Sequence, residues 1–231
     1  MKEHIYTIPV TEAFEKSAGR CPFCALYEKL EKEELDLILG ASMMEPDVRK
    51  ITNEKGFCGR HYAMMRAGNN KLGLALILES HLEELKSDIK PGNFLSRDIG
   101  AKRSKRIEKL NDSCYVCDRI DEKIAKMYVT AAYLYDEEKS FREKFDAVPC
   151  FCLPHHRALI AAGSVLPKDG AKLFSKALCE KAENYLASLK DDVSLFCRKF
   201  DYASDDIPWG NSRDSIERSI KFLKGERDLK L

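Results

Sequence analysis

The sequence has no long apolar run. Its most apolar stretch, Leu72–Leu78, has the letters LGLALIL, whereas a helix that spans a bilayer needs about 20 apolar residues. The first residues, MKEHIYTIPVTEAFEKS, contain no apolar core of the length found in signal peptides. We therefore expect a soluble, cytoplasmic protein without a membrane partner.

The chain also lacks a charge imbalance and the common catalytic motifs. Lys and Arg number 39 and Asp and Glu 38, so the formal net charge is +1 and no strong field attracts nucleic acid. The basic run from Lys102 to Arg106 has no interleaved aromatic residues for base stacking, which argues against nucleic acid as a partner. Phosphate-binding loops, HExxH and GxSxG are absent. The acidic residues lie on amphipathic helical patterns, where we expect them to face solvent. The sequence leans against an enzyme without excluding one.

Strand signals are scarce, and helical spacing of apolar residues is common. Apolar residues at spacings of three and four lead up to Gly40, which is a plausible helix stop. A similar stripe from Leu178 to Phe196 predicts a long helix that ends near Phe200. The pattern predicts an all-α protein.

Internal repetition is the main feature of the sequence. A CxxC pair is followed by a CxxH pair, and the same order occurs a second time. Cys21 and Cys24 recur 93 positions later, and Cys58 and His61 recur 94 positions later, so one inserted residue reconciles the two copies. With nine cysteines in the chain, random placement gives only about 0.3–0.4 CxxC pairs. We therefore predict a two-repeat helical bundle.

The two pairs of motifs have the residue types of zinc sites. Zinc prefers thiolate and imidazole ligands in a tetrahedron, and a closed set of four protein ligands is typical of a structural site. The repeat predicts one Cys₃His site in each copy and two zinc ions per chain. The predicted ligands of the first site are Cys21, Cys24, Cys58 and His61, and those of the second are Cys114, Cys117, Cys152 and His155.

Other interpretations of these cysteines stay open. The same ligands suit an iron–sulfur cluster. Cys150 is an alternate ligand or a reactive thiol, although a role outside the sites is favoured, and His156 is an alternate to its neighbour His155. Cys21-Pro-Phe-Cys24 resembles the CPxC motif of glutaredoxin-like oxidoreductases, but no βαβ pattern precedes it. Cys179 and Cys197 are expected in the core, because free cysteines usually pack there.

The repeats predict a division of the chain. We expect the first repeat at 1–92, a linker at 93–110, the second repeat at 111–201, and a C-terminal loop and helix at 202–231 that pack on the body. Trp209 is expected to pack this tail onto the body, and Asn211 or Ser212 to cap the last helix, which carries Ile216, Ile220 and Leu223.

The motifs CPFC…GFCGRH and CYVC…CFCLPHH, with the tail DIPWGNSRDSIERSIKFL, resemble a family of uncharacterised bacterial proteins. Its members carry the same doubled CxxC…CxxH layout and a Pro-Trp-Gly segment near the end. The resemblance covers nearly the whole chain and implies a bacterial, cytosolic, helical protein. It implies no activity, substrate or catalytic residue.

Two functions from different classes are consistent with the sequence. The first is a non-enzymatic binding or adaptor module, in which zinc holds a helical surface in shape for a protein or small-molecule partner. The second is a thiol-redox or metal-responsive sensor, whose thiolates are released on oxidation. A homodimer is left open.

Overall fold

The computed structural model describes residues 5–17, 19–89, 99–200 and 208–226. Within these ranges the chain forms α-helices and two short 3₁₀ helices, Ala41–Met44 and Gly163–Val165, and no strand. The α-helices are α1 Thr7–Glu15, α2 Pro22–Leu39, α3 Pro46–Lys55, α4 Gly59–Ala67, α5 Lys71–Ile89, α6 Ile99–Asp112, α7 Tyr115–Glu137, α8 Lys139–Ala147, α9 Leu153–Ala162, α10 Lys168–Arg198 and α11 Ser215–Lys224. The all-α prediction is confirmed.

The chain divides into two compact units that differ from the sequence repeats. Unit 1 consists of Met1–Glu28 and Lys123–Leu231, and unit 2 consists of Lys29–Glu122. The first boundary falls inside α2 and the second inside α7. Each unit therefore takes one part from each copy of the repeat, so a CxxC pair and the following CxxH pair belong to different units.

Unit 1 has an aromatic core. Phe145 is fully buried, and its ring centroid lies 5.1 Å from that of Phe151, 5.8 Å from that of Phe174 and 4.8 Å from that of Tyr135. Phe14 of α1 joins this group, with its centroid 4.7 Å from that of Phe141. Such pairs add stabilisation beyond the area that they bury, so the cluster holds α1, α7, α8 and α10 together.

Unit 2 packs α3, α5 and α6 against one another. Apolar side chains such as Ile38, Met65 and Ile77 are fully buried in this unit. Arg49 of α3 donates from Nε to the carbonyl of Met43 at 2.8 Å, and from a terminal nitrogen to Ser80 Oγ at 2.8 Å. These bonds hold the start of α3 on α5.

Several local expectations are confirmed. α2 ends at Leu39, directly before Gly40, and α10 ends at Arg198. The ring of Trp209 lies edge-on to that of Phe196 on α10, with centroids 5.9 Å apart. The tail of unit 1 is therefore packed on α10, as the sequence predicts.

The predicted linker 93–110 is helical from residue 99, where α6 begins, and its first part lies outside the described residues. Other local expectations are wrong. Cys179 and Cys197 are exposed rather than buried. The last helix begins after Asp214, with no side-chain cap. It buries Ser215 and Phe222 and leaves exposed the apolar residues Ile216, Ile220 and Leu223.

Among the described residues, no helix combines the length and the apolar composition that crossing a membrane requires.

Replacing Phe145 by Ala tests the aromatic core. We expect a loss of about 3–5 kcal/mol in the free energy of unfolding, because the change leaves a cavity among packed rings. Phe200→Ala is the matched control, since that side chain is 74% exposed. Denaturant unfolding followed by circular dichroism measures both. Equal losses in the two variants would contradict the proposed core.

Candidate metal centres

All four cysteine motifs lie at the start of a helix. Cys21 directly precedes α2 and Cys114 directly precedes α7, so Cys24 and Cys117 fall in the first turns of these helices. Cys58 and Cys152 are the N-cap residues of α4 and α9, and the histidine of each CxxH pair follows one turn later. Side chains three residues apart share one face of a helix. The positive end of a helix dipole would also stabilise the negative charge of a thiolate bound to a metal ion at such a helix start.

The first centre joins the starts of α2 and α9 in unit 1. Nδ1 of His155 lies 3.4 Å from Sγ of Cys21, 3.6 Å from Sγ of Cys24 and 3.0 Å from Sγ of Cys152. The sulfurs of Cys24 and Cys152 are 3.7 Å apart. All three cysteines are buried, and His155 is partly buried.

The second centre joins the starts of α4 and α7 in unit 2. Nδ1 of His61 lies 3.2 Å from Sγ of Cys58, 3.1 Å from Sγ of Cys114 and 3.5 Å from Sγ of Cys117. The sulfurs of Cys58 and Cys117 are 3.9 Å apart. His61 and Cys114 are buried, whereas Cys58 and Cys117 are half-buried.

The structure brings together all eight predicted residues, but the predicted pairing is wrong. Each CxxC pair meets the CxxH pair of the other repeat, so the quartets are Cys21–Cys24 with Cys152–His155, and Cys58–His61 with Cys114–Cys117.

In each repeat the helix after the CxxC pair is longer than the helix before the CxxH pair. α2 has 18 residues and is about 27 Å long at 1.5 Å per residue, whereas α3 has 10 residues and is about 15 Å long. The second repeat has the same imbalance, with 23 residues in α7 and 9 in α8.

The spacing of the donor atoms suits a single tetrahedral ion. Bonds of 2.3 Å to sulfur and 2.0–2.1 Å to nitrogen give tetrahedron edges of about 3.8 Å between sulfurs and about 3.6 Å between sulfur and nitrogen. The eight separations given above range from 3.0 to 3.9 Å, and within each quartet every donor atom lies within 4.8 Å of the others. A cluster distributes its ligands over several iron atoms and needs wider spacing. Each quartet therefore has the geometry of a site for one ion.

The thiols of the first centre hold their protons firmly in the absence of metal. Burial raises the pKa of Cys21 to about 12. For Cys24 and Cys152, the hydrogen bonds among the thiols act in both directions and burial adds to them, so their pKa values also rise to about 12. Burial alone lowers the pKa of His155 to about 4, which keeps the ring neutral. A metal ion must displace the thiol protons to bind here.

In the second centre, the pKa values of one cysteine and of the histidine are shifted in opposite directions. Hydrogen bonding from Cys117 and from His61 lowers the pKa of the Cys114 thiol to about 3, against the effect of burial. Burial lowers the pKa of His61, but its bonds to Cys114 and Glu31 outweigh it and raise the value to about 9. In the absence of metal, these opposite pKa shifts favour a thiolate at Cys114 beside a protonated His61.

The C-terminal segment covers the thiols of the first centre. Gly225 ends α11 with a φ of 77°, and a Cβ added there would lie 3.4 Å from Sγ of Cys152 and 3.6 Å from Sγ of Cys24. The backbone of Glu226 hydrogen-bonds to Cys24, and its carboxylate pairs with Arg20. Beside this segment is a cavity of about 170 Å³ that three ligand cysteines line.

Cys150 and His156 lie outside both quartets. Cys150 is buried and packs against Leu189 and Phe222, beside Tyr185, and it also lines the cavity at the first centre. His156 is partly buried, and burial lowers its pKa. His155, rather than its neighbour, directs a nitrogen at the thiols.

Sequence reasoning missed two buried carboxylates of α2, one of which lies beside the second centre. Glu31 and Glu34 were expected to face solvent, yet they are 3% and 1% exposed. Glu31 Oε1 lies 3.2 Å from Nε2 of His61. A signal was present in the repeat, because Ile124 occupies the position 93 residues after Glu31. An apolar counterpart indicates a buried stripe.

The fold and these centres define a class of protein: a helical protein with two candidate Cys₃His metal sites. A family model covers residues 1–230, and the chain belongs to that family, which is described as a family of unknown function, DUF6062. Neither the curated proteins nor the solved structures contain a match to the chain.

Counting metal ions in cysteine variants tests the exchanged pairing. If wild type binds two ions, Cys21→Ser and Cys152→Ser should each bind one, and the double variant should still bind one, because both residues serve the first centre. Cys21→Ser combined with Cys58→Ser should bind none. Elemental analysis of the purified proteins measures this. The double variant Cys21→Ser/Cys152→Ser binding no ion, with Cys21→Ser/Cys58→Ser keeping one, would restore the pairing within each repeat.

Zinc affinity at the first centre should rise steeply with pH. Near neutrality three thiols with pKa values of about 12 must lose protons, whereas His155, with a pKa of about 4, is already neutral. Release of three protons strengthens binding by up to about a thousandfold per pH unit. Competition with a chelator in a Cys58→Ser variant measures this centre alone. An affinity that does not change with pH would contradict the assignment of these protonation states.

Proposed function

We propose that the chain is a cytoplasmic zinc protein with two structural Cys₃His centres, and that it acts as a non-enzymatic binding or adaptor module. The observation that carries the proposal is the convergence of four donor atoms in each quartet, all within 4.8 Å of one another. Three thiols and one imidazole match the ligand preference of zinc, and four protein ligands leave no position open for a reacting water.

The position of the centres supports a structural role. Each lies between two helix starts and cross-links segments that are distant in sequence, such as Cys24 and Cys152. Apparent free energies of about 10–16 kcal/mol for structural zinc are comparable to the stability of a whole domain. The ions would therefore hold each compact unit in its folded form, and a helical surface would be left for a protein or small-molecule partner.

Metal analysis with a visible spectrum tests the identity of the ion. We expect two zinc ions per chain and a colourless protein. Removing them with a strong chelator should abolish most of the helical circular dichroism signal, because the metal cross-links are lost. Bound iron with visible absorption would support the iron-based alternative instead. Unchanged helicity after verified loss of metal would refute the structural role.

A metal- or redox-responsive sensor is the second candidate, and one observation favours it. Cys21, Cys24 and Cys152 line the cavity at the first centre, and Cys150 lines the same cavity. Hydrogen peroxide distinguishes the two functions, because a sensor releases zinc at low oxidant concentration. An adaptor keeps its zinc under these conditions and its partner co-purifies with it.

A further inference from the structure

The two candidate histidine ligands differ in the residues that contact the side of the ring facing away from the thiols. In the second centre, Nε2 of His61 lies 3.2 Å from Oε1 of Glu31, while Nδ1 is directed at the three sulfurs. In the first centre, the ring of His155 is flanked by Phe23 and Tyr128, each with its centroid 6.0 Å away. Among the residues that the structure describes, only the second quartet has a carboxylate within hydrogen-bond distance of its imidazole ring.

Glu31 is itself held in place by an arginine. Arg60 donates from Nε to Oε1 at 2.9 Å and from a terminal nitrogen to Oε2 at 3.0 Å. This two-point contact orients the carboxylate plane. Because Glu31 is only 3% exposed, its charge needs such partners, and removing either one leaves a buried charge poorly compensated.

The first repeat alone carries this arrangement. The repeat offsets place Ile124 at the position of Glu31 and Pro154 at the position of Arg60. Ile124 is buried with 4% exposure, and Glu31 is buried to the same degree with 3% exposure. The helical repeat therefore forms with an apolar residue at this position, so the carboxylate is not needed for packing and calls for another explanation.

We propose that Glu31 is a positioning residue for the metal ligand His61. The carboxylate accepts a hydrogen bond from Nε2–H. This bond stabilises the tautomer with the proton on Nε2, in which Nδ1 can bind an ion. It also fixes the plane of the ring toward the three sulfurs and makes the imidazole a better donor. Arg60 keeps Glu31 in that orientation. This inference rests on the proposed zinc-binding function.

Removing such an outer partner typically costs about 10–100-fold in metal affinity. We therefore expect Glu31→Ala to weaken zinc binding at the second centre within that range. Glu31→Gln should weaken it less, because the amide oxygen still accepts a hydrogen bond from Nε2–H without the negative charge. The first centre should be unaffected by either change.

The measurement is zinc competition with a chromophoric chelator, in two backgrounds of the full-length chain. Cys21→Ser leaves the second centre as the one to be measured, and Cys58→Ser leaves the first. Glu31→Ala should lower the zinc affinity measured in the Cys21→Ser background and leave that measured in the Cys58→Ser background unchanged. Glu34→Gln is the matched control, because Glu34 is buried one turn further along α2 and pairs with Arg119 at 3.6 Å. We expect it to leave both affinities within about threefold, well short of the loss expected from an outer partner.

Ring-nitrogen NMR of the zinc-loaded chain gives a second readout that packing alone would not move. Glu31→Gln should shift the Nε2–H signal of His61 and leave that of His155 in place, whereas Glu34→Gln should shift neither. Equal weakening of both centres by Glu31→Ala would show a role in packing and overturn the inference. Unchanged affinities in a chain that binds two zinc ions would overturn the inference while leaving the proposed function intact. A wild-type chain that binds no metal would overturn both.

Discussion

Each compact unit brings four donor atoms to one point from two separate helix starts. In unit 1 the CxxC pair belongs to the segment Met1–Glu28 and the CxxH pair to the segment Lys123–Leu231. A metal ion bound at the first centre would therefore cross-link the two segments of its unit. A cross-link between distant segments restricts the unfolded chain, and the entropic cost of closing such a loop grows only slowly with its length. Coordination by the proposed zinc ion would supply the free energy that offsets this entropic cost.

Helix starts are suitable places for such a cross-link. Once a metal displaces the thiol protons, the unpaired N–H groups and the positive end of the dipole would stabilise the negative charge of the thiolates. With two zinc ions bound, six thiolates and four positive charges would change the net charge from +1 to about −1. The proposed metal thus compensates most of the charge that the thiolates introduce, and the helices contribute to the rest.

The two copies of the repeat have diverged in the residues that support the ligands. In unit 2 the N–H of Tyr115 donates to the carbonyl of Gly56 at 3.0 Å, which ties the CxxC turn to the loop before the CxxH pair. The corresponding donor position in the first CxxC pair is Pro22, which has no N–H. Cys150 occupies the position of Gly56, and the first centre is covered instead by the end of α11 at Gly225. The centres are therefore similar in their ligands and different in their surroundings.

Spacing alone determined the helical class, the repeat and the eight candidate ligands. Periodic apolar residues specify helices locally, and CxxC and CxxH pairs converge their side chains within one turn, so these features need no knowledge of the rest of the chain. The partners of each motif were a matter of tertiary structure. The two copies are alike in spacing, so no local rule distinguishes Cys58 from Cys152 as the partner of Cys24. The tertiary structure decides it by placing the CxxC pair of each repeat beside the CxxH pair of the other. The same holds for the partners of Glu31. The apolar counterpart in the repeat indicates burial, but the contacts of Glu31 with His61 and Arg60 follow only from packing.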